Sequence, residues 1–291
     1  MNLKISHLVV NGCSYTYGHG ICDPVNNGWA SIIAKRLGVP LVNLAIPGQG
    51  NTAVYRKTMQ YFYKDLLYDN NPFYIHAYSQ SSRRECYLSS GSYPQQFLIV
   101  AGNSSVTQLE KEIVLNSDDH YYCLLAQDKL HRWSSINNLL DAHNVSHLMS
   151  DYMPETQQHI NDFLTTHETI LKNELDIHPG KLQNFNEVTD HIEKTSCKHE
   201  TEEGHLCLAD YVWKQIEKRY DKIEVIDLPH AKIHDILIHT PQTTDDLQKS
   251  HNEPINYYPI DFARNVYYMH ELGMDYTKKN WAGQPAQKLR P

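Results

Sequence analysis

Four short apolar runs, each closed by a breaker or a polar loop, restrict what this chain can fold into. They are "HLVVN" before Gly12, "VPLVNLA" before "IPGQGN", "PFYIHAYS" before "QSSRRE", and "VSHLMSDY". Runs of this length without polar alternation read as strands covered on both faces. The segments between them carry helical periodicity. Trp29, Ile32, Ile33 and Leu37 share one face ahead of Gly38, and Asn51 or Thr52 caps a helix to about Leu67. Residues 120–143 repeat through Tyr122, Leu125, Leu130, Trp133, Ile136 and Leu140. Strands alternating with helices predict an α/β fold, a three-layer, doubly wound, mostly parallel sheet. Right-handed crossovers then put every strand-to-helix loop on the carboxyl edge, where ligands bind in such sheets.

Around that frame lie less regular stretches. Residues 86–119 contain "FLIVAG" between turn residues and are expected to form an inserted hairpin or flap. The polar region 154–200 is expected to hold one helix and a long loop. "EEGHLCLADYVWKQIEKRY" (202–220) is an amphipathic helix with Leu206, Ala209, Val212, Trp213 and Ile216 on one face. Past residue 222 the pattern fades, with "IEVIDL" as a last strand. The expected organisation is one domain over 1–221 and a C-terminal extension over 222–291, with oligomerisation as its candidate role.

Composition narrows the function classes. An apolar fraction of 41% with 20 tyrosines supports a globular core. A formal charge of -8 without basic clusters disfavours nucleic acid as a partner. No apolar run approaches the roughly 18 residues that span a bilayer, and no basic-then-apolar leader opens the chain, so no membrane and a cytoplasmic location are expected. The six cysteines form no C-x-x-C pair and read as reduced thiols. Of 18 histidines only His230, His234 and His239 stand close enough in sequence to be checked as ligands, and neither metal nor cofactor is expected.

The carboxyl edge gathers Gly12-Cys13-Ser14, residues 43–51 and residues 79–85. Ser14 sits where the first strand stops, as a turn cap or as a hydroxyl lifted out of the sheet. Tyr15, Tyr17 and Tyr78 flank the predicted pocket and offer faces for a sugar ring, or else core packing. Arg83, with Arg84 and Glu85, is placed to hold an acidic substrate or to form a local ion pair. A Gly-x-Ser-x-Gly elbow is ruled out by Thr16 in the place of its second glycine.

Three ordered blocks resemble the SGNH, or GDSL-type, hydrolases, and within them the phage and bacterial SGNH-like proteins. "NGCSYTYG" matches the first block, with Cys13 where aspartate is commonest; "NLAIPGQGN" matches the second; "KHETEEGHLCLADYV" reproduces the last from His199. The resemblance covers roughly residues 5–220 and implies Ser14 as nucleophile and His199 as its general base. It implies oxyanion donors at Ser14 and Gly48, with Ser79, or Asn103, where the third block usually has asparagine. The family aspartate three residues before the histidine is replaced by Ser196, so the imidazole would be oriented by Ser196 itself, by a backbone carbonyl, or by a nearby carboxylate, Asp190 or Glu200.

The function implied is a serine esterase or deacylase working through an acyl-enzyme on a small acyl ester, with an O-acetylated carbohydrate as a candidate substrate. Its partner would be that small molecule or glycan, with a homo-oligomer as a further expectation. An acyltransferase using the same nucleophile, and an SGNH-like binding or assembly module without catalysis, are the alternatives.

Overall fold

The computed structural model describes residues 2–45, 49–67, 70–79, 84–90, 93–99, 119–152, 164–195, 199–226, 274–275 and 287–288. The chain opens with β1 (Asn2–Ile5) and β2 (His7–Asn11), separated by Ser6. Two single turns follow, α1 (Ser14–Tyr17) and α2 (Pro24–Asn27), then the helix α3 (Trp29–Leu37). Gly38 closes α3 in the left-handed conformation, φ 71°, which a glycine adopts without a Cβ clash.

The strand expected over 39–45 is shorter, β3 (Leu41–Asn43). The Val39 N–H closes the end of α3 on the Ala34 carbonyl and Pro40 has no N–H, so pairing starts at Leu41. It ends where the Asn43 side chain accepts from the Ala45 N–H and turns the chain. Then come α4 (Asn51–Leu67) and β4 (Pro72–Tyr78). Within the expected insertion, β5 (Arg84–Ser90) pairs antiparallel with β6 (Tyr93–Ile99), and the strand already includes Arg84 and Glu85. Next are α5 (Asp119–Ala142) and β7 (His147–Asp151).

The region expected to carry one helix carries α6 (Thr166–Ile177) and the single turn α7 (Phe185–Val188), started by the Asn184 side chain accepting two backbone N–H groups. α8 (Glu202–Arg219) spans the predicted amphipathic segment. Thr201 caps it, Glu202 and Glu203 lie in its first turn, and Lys218 and Arg219 in its last, each sign matched to the helix dipole. β8 (Lys222–Val225) pairs in parallel with β1, so a strand from beyond the expected boundary at 221 joins the first strand of the chain. Farther on, Met274–Asp275 pairs antiparallel with Gln287–Lys288.

The central sheet is parallel, in the order β3-β2-β4-β7. Strand parity divides its side chains between two cores. Leu8, Val10, Phe73, Ile75 and Leu148 pack under Trp29, Ile33 and Leu37 of α3 and Leu208, Val212 and Ile216 of α8. Val9, Tyr74, Tyr78 and Met149 pack under Val54 and Phe62 of α4 and Trp133, Ile136 and Leu140 of α5. Helices thus cover both faces, which is the doubly wound, three-layer arrangement. From β2 the chain crosses to β3 on one side and from β4 to β7 on the other, so the switch point of the sheet lies between the carboxyl ends of β2 and β4.

Candidate active site

At that switch point the sequence reads Asn11-Gly12-Cys13-Ser14. Gly12 has no room for a side chain: a Cβ there would overlap the Thr16 hydroxyl and lie 2.8 Å from the Ala77 carbonyl oxygen. The strand can therefore turn tightly against β4 and start α1 at Ser14. The turn is fastened by hydrogen bonds from Tyr17 to Cys13 and from Gly18 and His19 to the Ser14 carbonyl.

Asn11, which sequence reasoning did not single out, holds the strand end to its surroundings. Its Oδ1 accepts from the Gly12 N–H (2.9 Å) and from Gln49 Nε2 (2.7 Å), while its Nδ2 donates to the Val54 carbonyl and to Thr58. Asn51 does a similar service for the end of β4. Its side chain accepts from the Ser79 N–H and donates to the Ser79 carbonyl, both at 2.8 Å, and so fixes the residue just past β4. Ser79 is fully buried, and its hydroxyl has no partner among the described residues.

His199 arrives from the other end of the chain. Its Nε2 lies 2.8 Å from Ser14 Oγ. The segment carrying it is drawn in at Lys194 and Glu200, which form an antiparallel bridge. Lys194 Nζ donates to both Glu200 carboxylate oxygens at 2.6 Å, and Glu200 is fully buried. One residue further in, the Thr195 hydroxyl accepts from the His199 N–H and donates to the His199 carbonyl, each at 3.0 Å. Gly20, at φ +103°, lets the loop after α1 approach; a Cβ there would stand 3.1 Å from His199 Cβ.

The remaining expected residues separate clearly. Glu200 directs its carboxylate to Lys194 and to the Thr189 hydroxyl (2.7 Å), so its contribution is to the base of the His199 segment. Asp190 is exposed, with His191 3.5 Å away. Tyr78 is fully buried and stacks on Trp133 at 4.7 Å between ring centroids, in the core under α4 and α5. Tyr15 is 6% exposed; its ring stacks on Tyr152 at 4.3 Å and lies 4.6 Å from the His199 ring. Gly48, Arg83, Asn103 and Ser196 lie outside the described residues, as do His230, His234 and His239.

Burial also shapes the titration of the neighbours. His205, at the start of α8, is pushed down to about 4, first by burial and then by the nearby His199 and Lys194. It stays neutral at pH 7, and its Nδ1 accepts from the Trp29 N–H. The Tyr152 phenol is held well above its ordinary value by burial and by the Glu200 charge.

At the opposite, amino end of β7, Asp141, His147 and His178 bring donor atoms within 4.8 Å of one another. Their hydrogen bonds fix the protons. His178 Nδ1 accepts from the Gly180 N–H, which leaves its proton on Nε2, 3.0 Å from the Asp141 carboxylate. His147 Nδ1 donates to the Val145 carbonyl. His178 is thus bonded to Asp141 and His147 to the backbone, while the buried His147 Nε2 has no partner among the described residues.

No protein-family model matches the chain, and no curated protein does. Solved structures to which it is similar include the psychrotrophic esterase EstA from Pseudoalteromonas sp., at a TM-score of 0.45 and 10% identity over 73% of this chain and 97% of that one. TesA is similar at a TM-score of 0.45 and 13% identity, over 73% of this chain and 99% of that one. The acetyl xylan esterase Est2A from the rumen bacterium Butyrivibrio proteoclasticus is similar at 0.43 and 13% identity, over 74% of this chain and 64% of that one.

Proposed function

We propose that the protein is a serine ester hydrolase in which Ser14 attacks and His199 moves the proton. The observation that carries this reading is the 2.8 Å contact between His199 Nε2 and Ser14 Oγ at the switch point of the sheet. With Nε2 unprotonated, the imidazole takes the Ser14 proton as Oγ bonds to the acyl carbon of an ester. The imidazolium returns that proton to the departing alcohol oxygen as the ester C–O bond breaks. Water, deprotonated by the same nitrogen, then releases the acid and restores the Ser14 hydroxyl.

The charge that develops on the carbonyl oxygen needs donors. Those we assign are the Ser14 N–H, the Gly48 N–H and the Ser79 hydroxyl, the last supported by its burial without a partner among the described residues and by the two-point hold of Asn51 on its backbone. The substrate class is a small acyl ester. Of the three tyrosines that would have stacked on a sugar, Tyr15 and Tyr78 are engaged in packing, so the O-acetylated carbohydrate keeps no support from those two. Turnover of 4-nitrophenyl acetate by the full chain tests the reading. Ser14→Ala should abolish it while far-UV circular dichroism is unchanged, and a Ser14→Ala protein that retains turnover overturns the assignment.

A further inference from the structure

We propose that Tyr15 is a positioning residue that steadies the His199 imidazole, and its charged form, through the face of its ring. The inference rests on the serine hydrolase reading above. In a Ser-His pair the imidazole must keep one orientation and must carry a positive charge while the tetrahedral intermediate exists, tasks that an aspartate performs in the usual triad. At the position three residues before His199 this chain has Ser196, which lacks a carboxylate. The described carboxylate adjoining the histidine, Glu200, is directed to Lys194 and Thr189. A ring contact on the imidazole would share that task.

The geometry supplies one. The Tyr15 and His199 rings lie 4.6 Å apart between centroids at 33°, close enough and parallel enough for the phenol face to meet the imidazole. Tyr15 is itself held. Its ring stacks on Tyr152 at 4.3 Å and 26°, Tyr152 meets Phe185 edge-on at 5.5 Å, and Phe185 meets Trp29 at 5.4 Å. The row runs from the first core into the active site, so the histidine rests on a packed support. His19 meets the His199 ring edge-on at 4.7 Å. A π-face attracts imidazolium more than neutral imidazole, so the contact strengthens as the proton leaves Ser14.

The test compares Tyr15→Phe, which keeps the π-face, with Tyr15→Leu and Tyr15→Met, which do not. Two removals are used so that one folded variant suffices, as judged by circular dichroism. The readouts are the kcat and KM for 4-nitrophenyl acetate, the pH profile of kcat/KM, and the rate at which a fluorophosphonate modifies Ser14. Among the described residues, groups facing the His199 ring include Ser14, Tyr15, His19 and His205, with Lys194 and Glu200 at the base of its segment; each variant changes Tyr15 alone.

The expected result is a kcat lower by about tenfold or more in the Leu and Met variants with little change in KM, and an acid limb of the profile displaced toward lower pH. Tyr15→Phe should stay within about threefold of the parent with the same limb, since the face remains. A folded Leu or Met variant with the parent's kcat and profile overturns the proposal, as does a Phe variant as impaired as Leu. Absence of Ser14 labelling in the unmodified protein would instead overturn the hydrolase reading on which it stands.

Discussion

Thr195 and His199 are joined by three hydrogen bonds: the Thr195 N–H to the His199 carbonyl at 2.9 Å, the Thr195 hydroxyl to the same carbonyl at 3.0 Å, and the His199 N–H to that hydroxyl at 3.0 Å. One hydroxyl thus accepts from and donates to the backbone of the proposed general base. Thr195→Val keeps the shape and removes both hydroxyl bonds. We expect a loss of about 1–2 kcal/mol of stability, read from the urea midpoint, and a kcat lowered by about tenfold through misplacement of the ring. Unchanged kcat and midpoint would show the clamp to be idle.

The base of the same segment depends on a buried charge pair. Lys194→Met leaves the fully buried Glu200 carboxylate without its cation, and we expect a loss of about 3–5 kcal/mol in chemical denaturation. The double change Lys194→Met with Glu200→Gln should recover much of that loss, because the uncompensated charge is gone. A single variant as stable as the parent would contradict the pairing.

Gly20 faces the other side of His199. Gly20→Ala introduces a Cβ 3.1 Å from His199 Cβ at a backbone φ of +103°. The expected outcome is a stability loss of about 1 kcal/mol and a fall in kcat that exceeds the change in KM, measured on a short acyl ester. Parent-like kinetics would mean that the loop after α1 can retreat without disturbing the histidine.

Stability should also fall in mild acid. Burial lowers His76 to about 3, and burial with the neighbouring His199 and Lys194 lowers His205 to about 4. In the unfolded chain both titrate near 6.5, so between about pH 4 and 6.5 the unfolded state binds more protons than the native state. Their contribution is complete above about pH 6.5 and is lost as pH falls below it, at up to about 1.4 kcal/mol per pH unit for each group. Urea midpoints at pH 7.5, 6.0 and 5.0 should decline in that order, and His76→Phe should flatten the decline if it folds. A midpoint constant from pH 7.5 to 5.0 contradicts this account.

The sequence shows the parts of the site that repeat a local pattern, and hides those that depend on contacts between distant residues. Ser14 and His199 are legible because each stands in a short block of fixed spacing. Asn11, Asn51 and Thr195 are not, since an asparagine at a strand end or a threonine in a loop reads as an ordinary polar residue until its partner is known. Those of Asn11 lie up to 47 positions away and that of Asn51 lies 28 away. The central strands are legible from their continuous apolar runs. β1 is not, because its exposed Asn2 and Lys4 alternate with Leu3 and Ile5 and give too short a signal, and its partner strand comes from residues 222–225. Tyr15 and Tyr78 are ambiguous in sequence for another reason. A tyrosine serves equally as core and as pocket wall, and strand parity, which puts Tyr78 beside Trp133, appears only with the register.

The central claim is that His199 activates Ser14, and labelling by a fluorophosphonate followed by mass spectrometry of the modified peptide tests it most directly. The account predicts modification at Ser14 in the parent protein and its loss in His199→Ala. A protein left unmodified at a concentration that labels a control esterase, or a label that persists at Ser14 without His199, would contradict it.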